Sequence, residues 1–148
     1  MKTKTLQGDE IMGQTIAGGC ACGAIRYETD ATPVAMFNCH CRDCQRASGS
    51  GYAAMLVVPK ATVRVQGEPR YYKTVGDAGR AVERGFCAVC GSPVMSKPER
   101  SPDMLVLQAA SLDDPSLYKP ARDAFTNSAW RWDAMTVDTP KLPRGKTG

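Results

Sequence analysis

Seven cysteines constrain this 148-residue chain more than any other feature, because all of them lie in three short clusters. These are Cys20-Ala21-Cys22-Gly23, Cys39-His40-Cys41-Arg42-Asp43-Cys44 and Cys87-Ala88-Val89-Cys90-Gly91. None is left over in a core position, which argues against seven inert buried thiols. The odd count excludes a fully paired disulfide framework. The opening MKTKTLQGDEIMGQ lacks the apolar stretch of an export signal. The expected compartment is therefore the cytoplasm, where thiols stay reduced. Clustered reduced thiols read as metal ligands or redox groups. With one histidine in the chain, a metal site must be dominated by thiolate, which points to zinc, with iron–sulfur as the rival. A thioredoxin-like redox Cys-x-x-Cys would need a βαβ pattern that the sequence lacks.

Each spacing has a geometric meaning. On extended backbone, Cys-x-Cys puts both sulfurs on one face, because side chains alternate with period two. Cys-x-x-Cys bends round a turn and lets two sulfurs meet one ion at about 2.3 Å. Gly23 and Gly91 permit positive φ and leave backbone N–H groups free to bond thiolate sulfur, as in a zinc knuckle. Two knuckles of two make a closed, structural site. The remaining triplet would leave one position open, which is the reactive kind. Pairing Cys20 and Cys22 with Cys87 and Cys90 is the economical choice, because it keeps Cys39, Cys41 and Cys44 together; spacing alone does not fix it. Closing the 64 residues between Cys22 and Cys87 costs about 4 kcal/mol plus a constant. A structural zinc site contributes about 10–16 kcal/mol, so the metal prevails. His40, between two thiolates on an extended segment, is expected to point away as an exposed or supporting imidazole, placed to shuttle protons; ligation is the alternative.

The rest of the chain suits one folded domain, with 43% hydrophobic and 23% charged residues. No apolar run approaches the roughly 18 residues of a membrane-spanning helix. The formal charge of +4 counts cysteine as neutral. Seven thiolates around two divalent zinc ions would bring it to +1. The basic residues are scattered, so no nucleic-acid partner is expected. Short apolar runs broken by Gly, Pro and Asp predict a mainly β domain. Expected strands are 24–29, 52–58, 62–66, 70–74, 81–86, 94–96 and 104–110. Val63 and Val65 should face inward, and LVV and MLVLQ should lie centrally. Short helical turns are expected after Cys41 and near Leu112–Leu117. Residues 1–15 read as a flexible arm and 138–148 (DTPKLPRGKTG) as a disordered tail.

Three blocks, GGCACGAIRYE, NCHCRDCQRASGSGYAA and GFCAVCGSPV, resemble the glutathione-dependent formaldehyde-activating enzyme (GFA) family, with its centromere protein V-like zinc relatives. The similarity runs from about Ile16 to Phe125. It implies a zinc domain over 16–137 with the β-tent fold: stacked antiparallel sheets carrying zinc-binding cysteine knuckles. It supports the pairing above, with Cys20, Cys22, Cys87 and Cys90 matching structural zinc ligands and Cys39, Cys41 and Cys44 matching catalytic ones. The implied activity is that of a zinc-dependent carbon–sulfur lyase on a thiol adduct such as S-hydroxymethylglutathione, with glutathione as partner. Family members carry a His-aromatic segment ahead of a Trp. Here Asp123-Ala124-Phe125 stands there, followed by Trp130 and Trp132, and the His is absent. That departure sustains a second reading, a non-catalytic zinc-binding interaction module of the same fold.

A thiol with a pKa of about 8.5 is mostly protonated at neutral pH, and an open zinc position deprotonates it. Three cysteines plus a substrate thiolate weaken zinc as a Lewis acid, so thiolate delivery is favoured over water activation. Arg42 and Arg46 either bind substrate carboxylates or are solvated loop charges. Ser48–Gly51 reads as a flexible turn rather than an anion nest, Asp43 as a cap, and the two tryptophans as covers on a sheet edge rather than a substrate platform.

Overall fold

The structure is a computed structural model that describes residues 13–76 and 79–145. Most of the expected N-terminal arm, and residues 146–148 of the expected tail, lie outside these. In chain order the elements are β1 (Ile16–Gly19), β2 (Arg26–Thr29), β3 (Ala35–Cys39), α1 (Arg42–Ser48), β4 (Ala53–Pro59), β5 (Arg64–Gln66), β6 (Arg70–Val75), β7 (Ala81–Phe86), β8 (Pro93–Pro98), β9 (Met104–Gln108), β10 (Asp123–Ala124) and β11 (Lys141–Leu142). Single 3-10 turns occur at Lys60–Thr62, Ala109–Ser111, Pro115–Leu117 and Thr126–Ser128. No described helix is long and apolar enough to cross a membrane.

The strands form two sheets, β1-β2-β5 and β11-β10-β3-β4-β9-β8-β7-β6. The mainly β architecture of stacked, largely antiparallel sheets is the one expected. Only β10 and β11 join in parallel, β10 alongside β3 and β11 alongside β10. The apolar runs of β4 and β9 are neighbours in the middle of the large sheet. They read as continuous because both sheet faces are covered. Leu56, Val58, Leu105 and Leu107 turn to one side, where they meet Ile16, Ile25 and Tyr27 of the small sheet. Met55 and Val106 turn to the other and pack with Cys39, Cys44 and Ala53. The cysteine triplet therefore sits on the opposite face from the main core, under α1.

Three expectations need correction. Val63 is partly buried against the main core, but Val65 is 41% exposed and all of β5 faces solvent. The reason is that β5 is the edge of the small sheet, paired among the described residues with β2 alone. The tail expected from Asp138 on is structured at least through Lys141–Leu142. There β11 pairs with β10, the Asp123 amide donates to Pro140 O at 2.9 Å, and Lys141 Nζ lies 3.0 Å from Asp123 Oδ2. Trp130 and Trp132 do not cover a sheet edge. Both are largely exposed in the loop beside α1, with Trp130 Nε1 donating to Gln45 Oε1 at 3.1 Å.

Candidate metal centres

The four knuckle cysteines come together from opposite ends of the fold. Cys20 follows β1 and Cys87 follows β7. Behind Cys20 the chain turns tightly, with the Gly23 amide donating to Cys20 O at 3.2 Å; behind Cys87 the Gly91 amide donates to Cys87 O at 2.8 Å. Both glycines have positive φ, +80° and +78°, as knuckles require. Backbone amides then reach the sulfurs: Ile25 to Cys20 Sγ at 3.2 Å, Val89 and Cys90 to Cys87 Sγ at 3.4 and 3.5 Å. The donors are neighbours of the glycines rather than the glycines themselves. Ser92 ties the knuckles together, accepting from the Ala21 amide at 3.0 Å while its hydroxyl lies 3.2 Å from Cys90 Sγ.

The donor set fits a metal ion. All four sulfurs lie within 4.8 Å of one another, all are free thiols, and Cys22 Sγ is 3.6 Å from Cys20 Sγ and 3.7 Å from Cys87 Sγ. A tetrahedral ion with bonds of about 2.3 Å sets sulfur–sulfur edges of about 3.8 Å. Hydrogen bonds from Ser92 hold the Cys90 thiol down at about 5, while the neighbouring sulfurs push Cys22 up despite a backbone bond to Ala24. Four sulfurs at these separations ionise together only with a cation among them.

The second cluster is built from a strand end and a helix start. Cys39 closes β3, Cys41 caps α1, and Cys44 lies in the helix's first turn. Cys41 has the extended backbone of an N-cap, and its Sγ accepts from the Cys44 amide at 3.3 Å. The cap expected at Asp43 is thus made by Cys41, and Asp43 occupies the first turn instead. The three sulfurs lie within 4.8 Å of one another, and no fourth His, Cys, Asp or Glu atom among the described residues joins them. Hydrogen bonds from Cys39 and Cys44 lower the Cys41 thiol strongly, and the same sharing raises Cys39. This set also fits a cation, with one position left for a foreign ligand.

His40 is not that ligand, nor is it exposed. Its ring is fully buried, with Nδ1 2.5 Å from Asp133 Oδ2 and Nε2 2.8 Å from Asp123 Oδ1. Its carbonyl accepts from Gln45 Nε2 at 2.7 Å, and the same amide donates to Ser128 O at 2.9 Å. The imidazole supports the loop between Cys39 and Cys41 from beneath. Asp123, in the segment where the family resemblance implies a histidine, is one of its two anchors.

Burial pushes the Asp123 carboxyl up, but bonds from Thr139, His40, Asn38 and Lys141 outweigh it and hold the group at about 2. A folded value below the unfolded 3.8 means that its stabilisation is complete above about pH 4 and vanishes as pH falls through about 2. The amount is about 2 kcal/mol. The stability gap between the protein and Asp123→Asn, measured by urea unfolding, is expected to narrow as pH falls from 5 toward 2. A gap independent of pH would contradict this assignment.

Arg84 was not legible as a site residue. From β7 it directs both terminal nitrogens at Cys44 Sγ, at 3.9 and 3.8 Å. No local motif marks it. Arg42 is engaged on α1's own surface, bonded to Gln45 Oε1 and lying over the Trp130 ring at 5.8 Å. Arg46 lines a shallow depression with Ser50 and Trp132.

The family model described as glutathione-dependent formaldehyde-activating enzyme, GFA, matches residues 15–128. The chain belongs to the GFA family. A Halomonas elongata protein, whose name provisionally assigns it as a glutathione-dependent formaldehyde-activating enzyme, is 30% identical over 112 residues, covering 72% of this chain and 71% of that one. The crystal structure of a Rhodobacter sphaeroides protein superposes with a TM-score of 0.53 at 22% identity, covering 66% of this chain and 87% of the other. That likeness bears on fold alone. As a GFA family member, the chain carries both cysteine clusters inside the matched region.

Proposed function

We propose that this GFA family member is a cytoplasmic zinc enzyme that joins glutathione to formaldehyde and, in reverse, acts as a carbon–sulfur lyase on S-hydroxymethylglutathione. Cys20, Cys22, Cys87 and Cys90 hold a structural zinc; Cys39, Cys41 and Cys44 hold the reactive one. The observation that carries the reading is the three-sulfur cluster with no fourth protein ligand among the described residues. With zinc held there, a substrate thiol would stay ionised at neutral pH. The sulfur lone pair forms the new bond to the aldehyde carbon. The carbonyl π pair moves to oxygen, which takes up the proton released by the thiol, so no oxidant or further reactant is needed.

The chain's own residues set the conditions. Arg84 places a positive charge against Cys44 and offsets the anionic sulfurs. His40, clamped by Asp123 and Asp133, fixes the turn that spaces Cys39 from Cys41. The Cys41 cap fixes the start of α1 and with it Cys44.

Zinc-loaded protein mixed with glutathione and formaldehyde is expected to speed formation of the hydroxymethyl adduct at least tenfold over buffer, followed by the methylene signal in proton NMR. A rate equal to that with zinc-free protein would refute the proposal.

A further inference from the structure

Strand register sets a polar row on the sheet face that carries the three-cysteine cluster. Tyr72 pairs with Arg84, Arg84 with Ser96, and Ser96 with Val106. Directly paired residues share a face, and Val106 packs with Cys39 and Cys44. Along this row lies a cavity of about 240 Å³, lined by Ala47 of α1, Tyr72, Arg84, Phe86, Ser96 and Gln108 among others.

Two observations make it more than a surface dent. The Ser96 side chain is buried, at 3% exposure, and its hydroxyl has no hydrogen-bond partner among the described residues. Buried polar groups are nearly always paired, and an unpaired one is costly, so this hydroxyl asks for a ligand. Arg84 forms one wall and reaches the cysteine cluster from it. Of its five N–H groups, one bonds Thr74 Oγ1 at 3.3 Å and two face Cys44, leaving two to spare. No aspartate or glutamate among the described residues lines the cavity. The wall is thus rich in donors, with a single fixed positive charge, and suits a carboxylate.

We propose that this cavity is the subsite for a carboxylate of the substrate thiol, seated on the Ser96 hydroxyl and the Arg84 guanidinium while the sulfur reaches Cys39, Cys41 and Cys44. It rests on the reading that the triplet site takes a thiol. Substrates are then sorted by what they carry beside the sulfur: acidic thiols gain a second anchor that neutral ones lack.

The test compares zinc-loaded protein with Ser96→Ala by calorimetric titration with glutathione, S-methylglutathione and 2-mercaptoethanol, and records thermal unfolding without ligand. Ser96→Ala is expected to weaken both glutathione compounds about tenfold and to leave 2-mercaptoethanol unchanged. It should melt no lower than the parent, because the orphan hydroxyl is gone. Unchanged affinity for glutathione, or equal weakening of 2-mercaptoethanol, overturns the subsite. If the parent protein binds S-methylglutathione as tightly as glutathione, with Ser96 dependence, the subsite stands and the thiol reading falls. If it binds none of the three, both fall.

Discussion

Cys87→Ser is expected to strip one metal ion from the protein and abolish its cooperative unfolding at 25 °C. Cys87 is buried at the end of β7, and its partners Cys20 and Cys22 flank the turn after β1. A metal on these four sulfurs would therefore pin the small sheet to the far side of the large one. A structural zinc contributes about 10–16 kcal/mol, while a domain of this size has a net stability of about 5–15 kcal/mol. Losing one of four thiolates removes most of the first quantity, and the second does not survive it. Circular dichroism during urea titration, with metal content measured on the same sample, checks this. A sharp transition and full metal content in Cys87→Ser would contradict the pairing of these knuckles.

Cys41→Ser should behave in the opposite way, remaining folded while adduct formation falls at least a hundredfold. The substitution removes one of three sulfur ligands, and two thiolates hold zinc poorly. It keeps the start of α1, because serine is among the best N-cap residues and its oxygen can accept from the Cys44 amide as the sulfur does. On the proposed reading, the two variants separate a metal that holds the fold from one that does chemistry. Turnover of Cys41→Ser equal to that of the parent would remove the triplet from the mechanism.

The two cysteine clusters were largely legible in the sequence, because ligand spacing is local. Two glycines after paired cysteines announced the turns, and three thiols within six residues announced the incomplete set. Strands β4 and β9 were equally legible, since runs covered on both faces have few alternatives. Strands β1 and β3 were not expected. IAGG offers two glycines where a strand prefers β-branched residues, and AMFNC follows a proline without clean alternation. Strand β11 was unreadable for a different reason: Pro140 and Pro143 flank it, and it exists only because β10 offers an edge and Asp123 an anchor for Lys141. The residues around the triplet were hidden for the same cause. Arg84, Ser96, Asp123 and Asp133 arrive from distant strands and loops, and their roles are set by register and burial, which single-sequence patterns do not encode. His40 is the plainest case. Between two thiolates it reads as exposed or supporting; only the two carboxylates from the C-terminal third select the buried, supporting role.

The central claim is that Cys39, Cys41 and Cys44 hold a metal with a position free for a foreign thiol. Cobalt substitution tests it most directly, because a thiolate bound to cobalt gives a charge-transfer absorption that grows with each added sulfur. Protein loaded with two cobalt ions per chain is expected to gain such absorption on adding glutathione, and Cys41→Ser to gain none. A spectrum that glutathione leaves unchanged, with the triplet saturated by protein atoms, would contradict the account.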